Sequence, residues 1–465
     1  MFLSLRYEAV VRLLRDPDRA EIYSPKAIKT RLSVPGDKSI SHRAIMLASL
    51  AEGETAIHGL LWGEDVLATK HMFEAMGVKM RVMDDRLTIS GVGLNGLTAP
   101  QHVLHAGNSG TTARLVLGVL AGQDFFSVLD GDDSLVRRPM ARVVEPLRQM
   151  GARIEGREGG RYLPLAMHGI RPLKPIVYRL PVASAQVKSA LLLAALYAGG
   201  ESCIEETVPT RDHTERMLRT FGVPISSENG RICLQGGAEQ RFVSPGTISV
   251  PGDFSSAAFW LALAVMHQDA EIIIENVGIN PTRTGFLEVL QAMGAEIEVI
   301  SVSSVEPTGG TLQGPAASSS ALVGEPVANL MARTSTLNGT TVAGEIIPRL
   351  IDELPLLAIV ATQAQGRTIV RDAEELKVKE SDRIRDVAMR LQAMGASVLA
   401  TDDGWIIDGP TPLKPAELPP SSDHRIAMAF SIAALIAKGD RPTILHAPSV
   451  AAVSYPSFFE VLKNF

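Results

Sequence analysis

The chain has 465 residues, of which 46% are hydrophobic and 21% charged, and 45 Lys and Arg against 51 Asp and Glu give a net charge of −6. At about 150 residues per domain, this length predicts two or three domains with large cores. A weakly acidic chain with only 5% aromatic residues argues against proteins that bind nucleic acid through clustered cations or stacked aromatic rings.

The N-terminal segment does not resemble a targeting signal. Its first 25 residues contain acidic side chains and no uninterrupted apolar stretch, unlike a secretory or organellar leader. Apolar runs such as residues 426–437 are shorter than the about 20 residues that span a bilayer. The two cysteines, Cys203 and Cys233, cannot make a disulfide framework, and no Cys/His cluster has zinc-site spacing. We therefore expect a cytoplasmic protein in a reducing setting, without a metal and without membrane contact.

A short pattern recurs along the chain: the end of an amphipathic helix, a glycine, and a small or β-branched residue that starts a strand. Glycine after a helix end supplies the left-handed conformation that this turn needs. The first four occurrences are spaced by about 72 residues and the last follows after about 101. Part of this excess falls on residues 301–321, whose Ser, Gly and Pro content predicts a loop or a decorated hairpin. Counting one more repeat to the C-terminus predicts six units; the pattern glycines are Gly77, Gly151, Gly222, Gly294 and Gly395.

A longer repeat spans several of these shorter ones. Residues 33–39 read SVPGDKS and residues 249–255 read SVPGDFS, and an apolar helix follows each. Their separation is about three times the shorter period. We therefore predict two similar α/β domains of three units each, joined near the two VPGD segments.

Several predicted helices are apolar on nearly all faces and begin with polar residues. Examples start at Ser184, Asp253 and Asp352. A helix that is apolar all round is buried, and its N-terminal N–H groups and dipole attract anions. If these N-termini face a common cleft, the cleft would bind anionic ligands.

Each polar segment, taken alone, also has an ordinary structural explanation. Lys38 and Arg43 open one helix, where they could bind phosphate or carboxylate or be a solvated helix start. Residues 108–114 and 132–140 fit ligand binding about as well as capping or a basic turn. Residues 377–385 could equally form surface ion pairs. Residues 423–425 are different, because three ionisable residues that run into an apolar helix are costly to bury without partners.

Together these segments resemble the EPSP synthase family (5-enolpyruvylshikimate-3-phosphate synthase, or 3-phosphoshikimate 1-carboxyvinyltransferase). The resemblance runs from about residue 29 to the C-terminus. It is carried by the segments PGDKSISHRA, GNSGTTARL, GDDSLVRRPM, SAQVKSALLLA, TRDHTERML, PRLIDELPLLA, LKVKESDRI and DHRIAMAF.

The resemblance implies an α/β fold of two similar domains, each of three βαβαββ units, that close like a clamp over an interdomain cleft. We expect the first domain at residues 35–249 and the second at residues 29–34 plus 250–465, after an N-terminal extension at residues 1–28. The extension exceeds the usual start of the family. It could form an added helix, since residues 8–16 have suitable spacing, or reflect an upstream start codon.

The family reaction moves the enolpyruvyl group of phosphoenolpyruvate onto the 5-hydroxyl of shikimate 3-phosphate and releases phosphate. It proceeds by addition and elimination through a tetrahedral intermediate, on the shikimate pathway to chorismate and the aromatic amino acids. Both substrates carry a phosphate and a carboxylate, so a cationic cleft in an acidic protein is chemically reasonable. The resemblance implies these two small molecules as partners, no cofactor, no nucleic acid, and, as we expect, a monomer.

Residue roles follow from the resemblance. The implied catalytic residues include Asp352 as the leading general base and Glu380 as the proton donor; the full set is Lys38, Asp352, Lys379 and Glu380. The implied shikimate 3-phosphate contacts are Lys38, Ser39, Arg43, Ser184, Ala185, Gln186, Arg211, Asp352 and Lys379. The implied phosphoenolpyruvate contacts are Lys38, Gly110, Arg138, Gln186, Arg383 and Arg425.

Two further departures from the family pattern matter for substrate binding. Ala185 stands where some members have a second phosphate-binding serine, and Arg211 could compensate for the missing hydroxyl. Val453 stands where some members carry a C-terminal lysine, so no cation is assigned there.

Two other functions are compatible with the repeat architecture. One is the related enolpyruvyl transferase that acts on UDP-N-acetylglucosamine, but neither cysteine lies in that family's reactive loop motif. The other is a non-catalytic protein that binds phosphorylated metabolites. A pure binder would not need the acid and base residues that general acid–base catalysis requires.

Overall fold

The computed structural model describes residues 10–15, 18–237, 242–303 and 324–465. These residues form a mixed α/β fold. The strands are β1 Val11–Arg15, β2 Asp18–Ile22, β3 Ile28–Ser33, β4 Glu52–His58, β5 Lys79–Met83, β6 Arg86–Val92, β7 Leu104–His105, β8 Phe126–Asp130, β9 Arg153–Gly156, β10 Tyr162–His168, β11 Val177–Arg179, β12 Glu201–Glu205, β13 Ile225–Glu228, β14 Arg231–Gln235, β15 Thr247–Ser249, β16 Ala270–Gly278, β17 Ile297–Ser303, β18 Val327–Arg333, β19 Thr341–Val342, β20 Gly366–Val370, β21 Ser397–Ala400, β22 Trp405–Gly409, β23 Glu417–Leu418 and β24 Thr443–His446.

Helices lie between single strands or short runs of strands. They are α1 Lys38–Leu50, α2 Glu64–Ala75, α3 Gly110–Ala121, α4 Ala141–Gln149, α5 Arg157–Gly160, α6 Ala185–Ala195, α7 His213–Thr220, α8 Phe254–Met266, α9 Gly285–Ala292, α10 Ile347–Leu350, α11 Leu354–Gln363, α12 Arg383–Ala393, α13 His424–Ile436 and α14 Phe458–Leu462. Short 3₁₀ turns lie at Leu135–Arg137, Gly344–Ile346, Glu374–Val378 and Pro448–Val453.

Within the described ranges, the strands form six sheets of four strands each, which confirms the predicted six units. Each sheet contains a parallel strand pair. In four sheets this pair joins consecutive strands, such as β7 with β8, and in the other two it joins distant strands, β3 with β16 and β4 with β15. The sheet orders are β1-β2-β24-β23, β7-β8-β10-β9, β11-β12-β14-β13, β15-β4-β6-β5, β17-β18-β16-β3 and β19-β20-β22-β21.

The chain divides into two compact units, each with its own core. The first unit contains Pro35–Gly252 and the described residues 324–327; the second contains the described residues up to Val34, Asp253–Val302 and 328–465. Three of the six sheets belong to each unit.

Apolar helices occupy the centre of each core, as the sequence predicted. In the first unit α1, α3 and α6 are almost entirely buried, and in the second unit α8, α11 and α13 are buried in the same way. Burying one Leu, Ile or Phe side chain contributes about 1.5–3 kcal/mol, so these helices supply much of the stability. Because their flanks are buried, the polar residues at their N-termini are held in fixed positions.

The five pattern glycines adopt the predicted turn. Each has a positive φ, between 82° and 106°, in the left-handed region that other residues enter only at a cost. The glycines therefore end the helices where the repeat predicted.

The N-terminal extension differs from one of its two predicted forms. Residues 11–15 form strand β1, not a helix, and β1 pairs with β2, which pairs with β24. Val11 is buried and Arg12 is exposed, as in a strand, whose successive side chains point to opposite faces. The predicted loop at residues 301–321 lies, from residue 304 on, outside the described residues.

The two cysteines are bonded to each other. Cys203 on β12 lies directly opposite Cys233 on β14, and the two form a disulfide. The sequence analysis expected a reducing setting because two cysteines cannot make a disulfide framework, and it did not anticipate this single bond. In the part of the chain that the structure describes, no helix has the length and apolarity to cross a membrane.

Candidate active site

The predicted site residues fall into two groups, one on each unit. In the first unit, Asp37 caps α1 by accepting a hydrogen bond from the Ile40 N–H at 2.8 Å, which fixes the first turn of the helix. Lys38 lies in that turn and its Nζ donates to Asp65 Oδ2 at 3.1 Å. The Lys38 side chain keeps about a fifth of its surface exposed, so its ammonium is positioned and still accessible to an anion.

Arg43 joins three helices. Its Nε donates to Thr214 Oγ1 at 2.7 Å, its Nη2 to Ser189 Oγ at 2.7 Å and its Nη1 to the Ser39 carbonyl at 2.8 Å. Burial lowers the pKa of Arg43 to about 10, a fall that Arg211 increases and Glu215 opposes. The guanidinium therefore stays charged at neutral pH and is held rigidly near a second arginine.

The start of α3 places two further arginines around a glycine. A Cβ atom at Gly110 would lie 2.7 Å from Arg114 Nη1 and 3.6 Å from Arg138 Nη1. Arg114 Nη1 donates to Gln186 Oε1 at 2.8 Å, and Gln186 Nε2 donates to Thr111 Oγ1 at 3.1 Å. The glycine thus leaves room beside two guanidinium groups, which suits a small anion.

Arg138 is anchored from the other side. Its Nη2 donates to Asn108 Oδ1 at 2.6 Å and to Ser134 Oγ at 3.1 Å. Asn108 in turn donates to Asp132 Oδ2 at 2.7 Å. Side-chain hydrogen bonds therefore connect residues 108–114 with residues 132–140. These are the two segments whose sequences also fitted helix capping and a basic turn.

The start of α6 carries the predicted serine and its neighbour. Ser184 is the N-cap residue and accepts from the Val187 N–H at 3.4 Å, and Ala185 is the first helical residue. Arg211 lies in the segment before α7, whose Thr214 also contacts Ser189 on α6 at 2.8 Å. The first unit thus gathers the N-terminal turns of α1, α3, α6 and α7.

The second unit surrounds Asp352 with three arginines. Asp352 Oδ2 lies 3.6 Å from Arg283 Nη1 and 3.6 Å from Arg425 Nη2, and its Oδ1 lies 3.8 Å from Arg383 Nη1. The Asp352 side chain is 15% exposed. A partly accessible carboxylate among three cations is held in a defined place.

Arg383 is the centre of the second group. It is buried, with Nε donating to Asp423 Oδ2 at 2.7 Å and Nη2 to Glu380 Oε2 at 2.7 Å. Burial alone would lower the pKa of Arg383, but the carboxylates of Asp423 and Glu380 outweigh it and raise the pKa. Burial likewise favours the neutral form of Asp423, yet Arg383 holds the pKa of that carboxyl below its ordinary value. Both groups are therefore ionised.

Lys379 and Glu380 point to different partners. Lys379 Nζ donates to Glu375 Oε1 at 3.0 Å, and about a quarter of its side chain is exposed. Glu380 contacts Arg383, and 22% of its side chain is exposed. The segment is thus partly the surface ion pair that its charge alternation suggested and partly bound to the buried arginine.

Sequence reasoning missed several residues that hold the predicted ones. Arg114 lies inside a motif already singled out, so its sequence signal was present. Asp65 and Arg283 gave none, because they contact Lys38 and Asp352 only through the fold. Missed side chains that touch predicted site residues include Asp65, Arg114, Ser189, Thr214 and Arg283.

His42, next to Arg43 on α1, makes the stability of the protein depend on pH. Burial lowers the pKa of His42 from 6.5 to about 3, and its Nδ1 lies 2.7 Å from Thr69 Oγ1. Below about pH 6.5, His42 binds a proton in the unfolded chain but not in the folded chain. The free energy of unfolding should therefore fall as pH decreases below 6.5. The free energy of unfolding should fall by about 1.4 kcal/mol per pH unit, so that the loss at about pH 5 is roughly 2 kcal/mol.

Urea unfolding at about pH 7 and about pH 5 checks this expectation. His42→Gln should lose less stability than the natural protein between the two pH values. His71→Gln, at an exposed histidine, should lose as much as the natural protein. An equal loss in all three proteins would contradict the expectation.

Comparisons with known proteins identify the family. The model of the EPSP synthase family (3-phosphoshikimate 1-carboxyvinyltransferase) matches residues 22–462. The chain is 51% identical over 439 residues to a 3-phosphoshikimate 1-carboxyvinyltransferase from Streptococcus sanguinis, covering 94% of this chain and 97% of the relative. It is 50% identical to one from Synechocystis, covering 94% and 93%.

The chain belongs to the EPSP synthase family. A solved EPSP synthase from Acinetobacter baumannii superposes with a TM-score of 0.82 at 44% identity, covering 96% of this chain and 97% of that one. The enolpyruvyl transferase NikO from Streptomyces tendae shares the fold, with a TM-score of 0.72 at 16% identity and 96% coverage of both chains. These matches confirm the EPSP synthase resemblance read from the motifs, the α/β fold, and the prediction of a transferase of the shikimate pathway.

Proposed function

We propose that this chain transfers the enolpyruvyl group of phosphoenolpyruvate to the 5-hydroxyl of shikimate 3-phosphate and releases phosphate. The names of the EPSP synthase relatives support the reaction, and two groups of fixed cations support anionic substrates. One observation carries the proposal: Asp352 and Glu380 both contact the same buried guanidinium, that of Arg383, at 3.8 Å and 2.7 Å. An acid and a base next to one cation suit proton transfers at an anionic substrate.

We propose that the first unit supplies most contacts to shikimate 3-phosphate. Lys38 and Arg43 offer an ammonium and a buried guanidinium, and Arg211 lies close enough to lower the pKa of Arg43. Three cations near one another suit a dianionic phosphate. Ala185 brings no hydroxyl, so Arg211 takes a larger share of the phosphate. The proposed set of contacts is Lys38, Ser39, Arg43, Ser184, Ala185, Gln186, Arg211, Asp352 and Lys379.

Phosphoenolpyruvate has fewer proposed contacts. Gly110 and Arg138 suit a small anion because the glycine leaves space beside two guanidinium groups. Gln186 is fixed by Arg114 at 2.8 Å. The complete proposed set is Lys38, Gly110, Arg138, Gln186, Arg383 and Arg425.

The proposed reaction has two steps in which every proton is accounted for. In the addition, Glu380 acts in its protonated form and gives its proton to the methylene carbon of phosphoenolpyruvate. The 5-hydroxyl oxygen bonds to the second carbon, and Asp352 takes the hydroxyl proton. In the elimination, the Glu380 carboxylate takes a proton back from the new methyl group while the double bond re-forms and the bond from carbon to the phosphate oxygen breaks. Asp352 returns the hydroxyl proton to the departing phosphate.

The rival transferase that acts on UDP-N-acetylglucosamine fits less well. The rival uses a reactive cysteine thiolate in a mobile loop, whereas Cys203 and Cys233 lie opposite each other on the paired strands β12 and β14. A binding protein without activity would not require the pairing of Asp352 and Glu380 around Arg383.

Phosphate release from purified protein tests the proposed function. Release is expected only when phosphoenolpyruvate and shikimate 3-phosphate are present together, and each substrate alone is the control. Calorimetric binding of shikimate 3-phosphate without any release would favour the binding protein, and Ala185 and Val453 would then be examined first.

We also propose a cytoplasmic location and a monomeric state. A cytoplasmic setting would keep Cys203 and Cys233 reduced, so thiol titration of protein isolated under alkylating conditions tests the location. Sedimentation equilibrium tests the monomer.

A further inference from the structure

A buried ionic cluster in the first unit has no part in the roles proposed above. Lys188, on the second turn of α6, has no exposed surface. Its Nζ lies 2.8 Å from Glu215 Oε1 and 3.1 Å from Glu206 Oε1, and it donates to the Thr210 carbonyl at 3.2 Å. These contacts use all three donors of the ammonium group.

This cluster is not an efficient source of stability. Removing charges from water is costly, and apolar residues of similar volume often stabilise a core as well or better. Burial raises the pKa of Glu215, although Lys188 opposes the rise. A cluster with such a cost is more readily explained by what it holds in place.

The cluster holds the residue that precedes Arg211. Thr210 donates from its N–H and its Oγ1 to Glu206 Oε2, at 3.2 Å and 2.7 Å, and its carbonyl accepts from Lys188. Every polar group of Thr210 is therefore bound to the Lys188–Glu206 pair. The peptide that leads into Arg211 is fixed from both sides.

The internal repeat shows a second segment built in the same way. Pro209-Thr210-Arg211 recurs as residues 281–283, about one repeat later. There the threonine is held by Asn280 Oδ1, which accepts from the Thr282 N–H at 2.9 Å and from its Oγ1 at 2.7 Å. Arg283 then reaches Asp352. In both units a fixed threonine thus precedes an arginine of the site.

We propose that Lys188 is a positioning residue that, through Glu206 and Thr210, holds Arg211 in place for the phosphate group of shikimate 3-phosphate. This inference rests on the proposed function. Lys188 itself is buried and does not touch substrate. Its loss should therefore weaken the binding of shikimate 3-phosphate and leave the chemical step and phosphoenolpyruvate nearly unaffected.

The kinetic test compares Lys188→Met with Lys70→Met. Lys70 pairs with Glu74 on α2 at 2.7 Å. Lys70→Met therefore also removes one paired lysine from the same unit and is the matched control. Lys188→Met should raise the KM for shikimate 3-phosphate by about tenfold or more, because an arginine–phosphate contact is disordered. The kcat and the KM for phosphoenolpyruvate should change by less than about twofold, as should all constants of Lys70→Met.

A double-mutant cycle separates positioning from general stability. In an Arg211→Met background, Lys188→Met should raise the KM for shikimate 3-phosphate no further, because its effect passes through Arg211. Additive increases, or a fall in kcat without a change in KM, would overturn the inference. If Lys188→Met does not fold, Lys188→Gln keeps a donor for the Thr210 carbonyl and should show a smaller increase in KM.

Hydrogen exchange gives a readout that needs no substrate. Amides of residues 207–212 should exchange faster in Lys188→Met than in the natural protein or Lys70→Met, because Thr210 is released. Unchanged exchange there would reject the positioning role even if the enzyme is active. Absence of phosphate release by the natural protein, with faster exchange in the variant, would reject the proposed function alone.

Discussion

Replacing Glu380 by Gln should lower phosphate release by about 10²- to 10⁴-fold, the usual contribution of a general acid. Glutamine has nearly the same shape, so it can still accept from Arg383 Nη2, which lies 2.7 Å from Glu380 Oε2. It cannot give up a proton to a methylene carbon. The loss should therefore appear in kcat, while the calorimetric affinity for shikimate 3-phosphate stays within about threefold.

Glu374→Gln is the matched control. Glu374 lies in the same segment and is exposed. Electrostatic contributions of exposed carboxylates are small, so this variant should keep its activity. Activity of Glu380→Gln close to that of the control would assign the proton transfer to another group.

The repeat architecture could be predicted because it depends on local residues. A glycine with positive φ at the end of a helix is required wherever the chain turns into the next strand, so Gly77 and its counterparts mark the units directly. The buried helices could be predicted for a similar reason, since an apolar surface on all sides leaves a helix only the core. Both features can be recognised without knowledge of the tertiary structure.

The first strand could not be predicted in the same way. Residues 10–15 carry apolar side chains at spacings that suit either a helix or a strand, and the sequence offers no choice between them. The choice is made by β24, far along the chain, which pairs with β2 and so recruits β1 to a sheet edge. Tertiary contacts often override such weak local preferences.

The supporting residues of the site were missed because their partners are distant in sequence. Lys188 is a single charged residue within an apolar helix, and the sequence does not indicate its partners. Only the fold brings Glu206 and Glu215 to its ammonium group. Helix α7 and strand β13 likewise separate Cys203 from Cys233 along the chain, and only the sheet places the two cysteines opposite one another. Motifs predicted the groups proposed to touch substrate, whereas the groups that hold them required the structure.

Replacing Asp352 by Asn should lower kcat by about 10²- to 10⁴-fold, as expected for a general base, without raising the KM for phosphoenolpyruvate. Asp352 lies within 3.8 Å of Arg383 and 3.6 Å of Arg425, both proposed to bind that substrate. Removing a negative charge beside them leaves a more positive site. The KM should therefore stay the same or fall while the reaction slows.

A fall in kcat without a rise in the KM for phosphoenolpyruvate distinguishes a base from a residue that only shapes the site. If Asp352 only held the arginines in position, its replacement would raise the KM for phosphoenolpyruvate, because the arginines would no longer be held. Asp386→Asn is the matched control, because Asp386 pairs with Arg390 at 3.2 Å in the same unit and a quarter of its side chain is exposed. Steady-state kinetics with both substrates varied would measure the effect. A higher KM for phosphoenolpyruvate with an unchanged kcat would mean that Asp352 orders the arginines and that the hydroxyl proton leaves by another route.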